Sequence, residues 1–101
     1  MSAEQLPQNS EIRDLFKAVE LGLDARQFLE SALGKYVAQR AMDEMYAATQ
    51  ALAEVDPFDH KAIVQEQMRH RIASAALSWL AQAIEAGSQA ETTLMAMETT
   101  D

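Results

Sequence analysis

Cysteine is absent from the 101 residues. No disulfide can staple the fold, and thiol nucleophiles and thiolate metal ligands are excluded. Glycine and proline are scarce, at three and two residues, and the glycines stand singly, so no glycine-rich loop is available to cradle phosphate. Aromatic residues make up 6%, and β-branched residues are also sparse, which disfavours strands over most of the chain. Basic side chains number 8 against 16 acidic ones, for a net charge of −8. Phosphate-backbone binding depends on Lys and Arg, so this balance argues against direct contact with nucleic acid. No apolar run approaches the roughly 18 residues of a membrane span. No basic start leads into an apolar stretch, so no secretory signal is expected.

What is present is alanine, the strongest helix former, in a chain that is 49% hydrophobic and 24% charged. That mixture belongs to a folded protein rather than a disordered one. At this length it forms one domain with one modest core. The sequence divides into a mobile arm over 1–9, a helical domain over 10–98 and a frayed end over 99–101. Ser10 is placed to cap a helix in which Ile12, Leu15, Phe16 and Val19 recur at helical steps. Gly22 weakens that helix, and Asp24 with Gln27 resembles a capping box that bends the 11–31 arm. Ser31 and Gly34 mark the next boundary. Leu33, Val37, Ala41, Met45, Ala48, Leu52 and Val55 then form one apolar stripe. Val55-Asp56-Pro57 ends the stripe, because the residue before proline avoids helical geometry. Asp56 as cap and Pro57 at the first position start the last helix. Ile63, Ile72, Ala76, Trp79 and Ala83 carry its stripe, and the heptad-like series Ala83, Gly87, Ala90, Leu94, Met97 predicts continuation through Gly87.

So short a connection makes the two long helices antiparallel neighbours. The expected fold is all-α: an antiparallel helical hairpin plus an N-terminal helical arm, completed by self-association. In this register Leu52 meets Ile63, Met45 lies near His70, and Tyr36 and Val37 pack against Trp79. The expected core or interface residues are therefore Tyr36, Val37, Met45, Leu52, Ile63, Ile72, Trp79, Ala83 and Leu94, with Trp79 as a core anchor. Beyond Ala83 the hairpin offers no partner, which predicts that the 83–97 segment contributes to a homo-oligomer.

Catalytic and metal sites are not expected. Glu66 and His70 share a helix face, with Asp43 and Glu44 on the facing helix. The Glu-x-x-His pairs of di-metal bundles are missing, and Arg69 and Arg71 bracket His70. His70 reads as part of a solvated face, on which Lys61, Arg69 and Arg71 pair with Glu66 and Asp59. Met42, Met45 and Met68, beside Tyr46, read first as gap-fillers and second as an adaptable partner surface. No cofactor, no catalytic residue and no metal ligand is assigned.

From Ser31 to Glu91 the order of elements is Gly34-Lys35-Tyr36 with Arg40, Val55-Asp56-Pro57-Phe58-Asp59 as a turn, Trp79-Leu80, Ile84-Glu85-Ala86-Gly87, then Ala90-Glu91. This order resembles small helical proteins of tailed bacteriophages, and the resemblance implies action by binding, in the cytoplasm of a bacterial host or in a virion. The expectation is a non-enzymatic virion-assembly, packaging-accessory or structural component with protein partners, its own copies included, and no membrane. The alternative is an acidic inhibitor of a host protein that imitates nucleic acid. All basic residues precede Ile72, and only Glu85, Glu91, Glu98 and Asp101 carry charge after it. That acidic end reads as a solubilising tail or as a face for a basic partner.

Overall fold

The computed structural model describes residues 5–99, with side chains from residue 9 onward. Three α-helices follow one another: α1 (Gln5–Glu30), α2 (Ala32–Glu54) and α3 (His60–Thr99), with no strand among the described residues. The all-α expectation is met. Two compact units are built from them. One joins α1 up to Phe28 with α3 from Leu80 onward, and the other comprises Leu29–Trp79.

Helix α1 begins at Gln5 rather than after Ser10. Of the arm expected over 1–9, residues 5–9 are helical and 1–4 lie outside the described residues. Pro7 is accommodated because the first-turn N–H groups have no intrahelical partner to lose. The 11–31 arm is one helix, as expected, and Asp24 does not start a separate one, since α1 runs unbroken to Glu30. Gly22 is buried, and its role is in packing rather than in ending the helix.

Ser31 is the boundary the sequence indicates. Its backbone is extended (φ −72°, ψ 159°), and its hydroxyl accepts a 2.9 Å hydrogen bond from the Gly34 N–H. Such a cap supplies one of the four acceptors that the first turn lacks. Helix α2 stops at Glu54, and Val55 is extended (φ −70°, ψ 146°).

The cap of α3 is Asp59, not Asp56. The Asp59 carboxylate accepts from Ala62 N–H at 3.1 Å, and its carbonyl accepts from Ile63 N–H at 3.1 Å. Asp56 instead holds the turn, its carboxylate accepting from Phe58 N–H and its carbonyl from Asp59 N–H, both at 2.9 Å. Pro57 therefore sits in the turn ahead of the helix. The reason is local: an Asx-turn at Asp56 uses up the residues that would otherwise form a first helical turn. Helix α3 continues through Gly87 to Thr99, as the heptad-like spacing predicts; residues 100 and 101 lie outside the described ones.

Within the first unit α1 and α3 run antiparallel, Ala18 lying beside Gly87 and Gly22 beside Ala83. Gly22, Ala25, Gly87 and Ala90 are buried there. The arm thus packs on the 83–97 segment, to which the α2 helix offers no partner. In the second unit α2 and the first half of α3 form the expected antiparallel hairpin, with Gly34, Ala41, Ala48 and Ala73 buried.

Every buried hydrophobic side chain among the described residues is an alanine. Each methyl contributes only about 0.8 kcal/mol on burial, against about 1.5–3 kcal/mol for a fully buried Leu, Ile or Phe. Small side chains bring the helices close, and the larger apolar residues are at most half-buried at the border of the contact. Trp79 is 69% exposed and Ile72 equally so, and Tyr36 is 65% exposed. These three, expected at the core or an interface, are not core residues of this chain. Trp79 in particular anchors nothing inside it.

Candidate interaction surface

The hairpin unit carries an open groove of about 620 Å³ between α2 and α3. Its walls are Tyr36, Val37 and Ala41 from α2, and Met68, Ile72 and Ala76 from α3. Helical geometry places them there. On α3 the steps from 68 to 72 to 76 are four residues each, so these side chains stand in one row. On α2, Tyr36, Arg40 and Glu44 repeat the same step.

Charged groups border one end. Arg69 Nε lies 2.5 Å from Glu44 Oε2, joining α3 to α2. Arg40 Nε approaches the other Glu44 oxygen at 3.6 Å, and Arg69 Nη1 lies 3.5 Å from Glu66 Oε2. That Glu66 oxygen is buried and accepts no hydrogen bond. The Arg69 hydrogen bond, then its charge and that of Arg40, hold the Glu44 carboxyl below the usual glutamate range against a smaller opposing effect of desolvation. The same hydrogen bond raises Arg69 further. The cross-helix pair fixes the register of the hairpin, with Glu44 level with Arg69.

The residues named from sequence divide between several places. Tyr36, Val37 and Ile72 share the groove. Leu52 lies with Thr49, Gln67, His70 and Arg71 around a separate, smaller depression of the same unit, so His70 is half-buried rather than on a fully solvated face. Met45 and Ile63 are half-buried. Ala83 and Leu94 are half-buried in the other unit, Leu94 together with Ile12 and Phe16. Met68 lines the groove, whereas Met42, Met45 and Tyr46 do not.

Two features escaped the sequence reading. The Glu44–Arg69 pair joins residues 25 positions apart, and Glu44 had been weighed only as a metal ligand. Gly22 and Gly87 read as helix-weakening singletons, although Ala18 with Ala25 and Ala83 with Ala90 flank them at three- and four-residue steps. Among the described residues no three His, Asp or Glu side chains gather where they could hold a metal ion. No described helix is long and apolar enough to cross a membrane. No family model, curated protein or solved structure matches the chain.

Proposed function

We infer that this chain is a non-enzymatic assembly protein of the tailed-phage kind, a virion-assembly, packaging-accessory or structural component that works through helix–helix contacts with protein partners, other copies of itself included. One observation carries the reading. Among the described residues the fully buried positions are alanines and glycines, while Tyr36, Met68, Ile72 and Trp79 stand exposed on one hairpin. Exposed apolar surface of that extent and continuity marks a protein interface. Aromatic and methionine side chains are also the types enriched at the centre of interfaces.

The −8 charge keeps such a protein dispersed until a specific face engages. Its host setting would be the bacterial cytoplasm or the particle itself.

The test is cosedimentation. A tagged chain expressed in an infected bacterial culture is expected to travel with particles or particle precursors in a density gradient. Its absence from every particulate fraction overturns the assembly role. Capture of a host nucleic-acid enzyme instead, released by moderate salt, would establish the acidic-inhibitor reading.

A further inference from the structure

We propose that the α2–α3 groove is filled by the same groove of a second copy, giving a two-fold symmetric four-helix bundle. This deepens the assembly reading and rests on it for the premise that the groove is an interface.

Three observations select a second copy. The first is area. Tyr36, Met68 and Ile72, which line the groove, are each 54–69% exposed. Together they offer roughly 400 Å² per copy, on the scale of about 150–250 Å² for a buried aromatic. A stable interface buries about 800 Å² per partner, so these three side chains alone supply close to half of one copy's share.

The second is charge. A chain of net charge −8 repels its own copy unless the contact face lacks that excess. The charged residues lining this groove are Arg40, Glu44 and Arg69, two positive and one negative. Arg40 stands 66% exposed, touching Glu44 only at 3.6 Å. A two-fold interface presents each residue to the equivalent patch, and this patch holds both signs.

The third is the contrast with the other apolar depressions. The one formed by Ile12, Phe16, Leu94 and Met95 is bordered by Glu91 and Glu98. The one beside Leu15 is bordered by Glu11 and Asp14. Either would set acid against acid in a self-pairing. Of these three depressions the hairpin groove is the one whose border suits self-pairing.

The experiment uses the full chain and sedimentation velocity from nanomolar to about 100 µM. The parent is expected at twice its 11.2 kDa mass. Ile72→Glu and Ile72→Lys, each at an exposed position, are expected to keep the parent's helical circular dichroism and to weaken association at least about 100-fold. An equimolar mixture of the two is expected to recover the dimer, because a two-fold axis through the groove brings opposite charges together. Met95→Glu and Phe58→Glu, outside the groove, are expected to leave association unchanged.

A parent that stays monomeric over the whole range overturns the proposal. So does a dimer that survives Ile72→Glu, or a mixture of the two variants that stays monomeric. A monomeric parent that nevertheless cosediments with particles, and loses this with Ile72→Glu, assigns the groove to a different protein: self-pairing then fails while the assembly reading stands. A dimeric parent found in no particulate fraction separates the two in the other direction.

Discussion

Gly22 of α1 and Gly87 of α3 pack against each other so closely that a Cβ at either position would crowd the backbone of the facing helix. A Cβ at Gly22 would lie 3.0 Å from the Ala83 carbonyl oxygen and 3.1 Å from Gly87 Cα. A Cβ at Gly87 would lie 2.9 Å from the Ala18 carbonyl oxygen and 3.1 Å from Gly22 Cα. These obstacles are backbone atoms, which cannot turn aside as a flexible side chain does.

Gly87→Ala tests whether this contact holds the first unit together. In an unobstructed helix the change gains about 1 kcal/mol from helix propensity. Here overpacking costs roughly 1–3 kcal/mol and outweighs or cancels that gain. No stabilisation is therefore expected in urea unfolding, in contrast to the gain of about 1 kcal/mol that Gly→Ala brings in an unobstructed helix. A variant more stable than the parent would show that the two helices do not approach so closely.

Glu44 gives the fold a definite response to acid. Its carboxyl is held below the usual range by the hydrogen bond from Arg69. A group with a depressed folded pKa contributes stability above its unfolded value, near 4.3 for glutamate. The contribution is lost as pH falls through the folded value. Glu44→Gln is therefore expected to be less stable than the parent at pH 7, with the difference closing below about pH 4. A difference that persists unchanged at pH 3 would mean that the ion pair is not its source.

Much of the fold is legible in the sequence, and the parts that are not share a cause. The boundary at Ser31, the stop near Val55 and the continuation through Gly87 all depend on residues within a few positions of one another, where local rules apply. The cap of α3 was misplaced by three residues because Asp56 and Asp59 are both good cap residues. Only the Asx-turn geometry decides between them. Trp79 departs from the core-anchor reading for a different reason. Its place on the stripe is right, but periodicity shows which residues share a face and not how far a facing helix extends to cover them. Ala41, Ala48 and Ala73 take the closest contact, and the larger residues are left at its border.

The reassignment of the α3 cap makes its own prediction. Asp59→Ala removes the acceptor of Ala62 N–H and is expected to cost about 0.5–2 kcal/mol. Asp56→Ala loses only the turn contact to Phe58 N–H and is expected to cost less. Thermal melts of both variants at one concentration decide the order, and a reversal would return the cap to Asp56.

Trp79 is the single tryptophan of the chain, so its fluorescence reports one site. In one copy by itself the side chain is 69% exposed, and an indole in water emits at longer wavelength than one among apolar groups. Trp79 continues the row through Met68 and Ile72 that walls the groove, so pairing of two hairpins would transfer it from water to an apolar contact. Emission is expected to shift to shorter wavelength as the chain is concentrated from nanomolar to micromolar, and to shift back on dilution. Ile72→Glu should abolish the concentration dependence without changing the helical signal. Trp79→Ala should then cost well under the 3–5 kcal/mol typical of a buried tryptophan when measured in the dilute monomer, because little of the side chain is covered there. Emission already at short wavelength in the most dilute sample, together with a large loss of stability in Trp79→Ala, would put the indole inside the single chain rather than at a contact between copies.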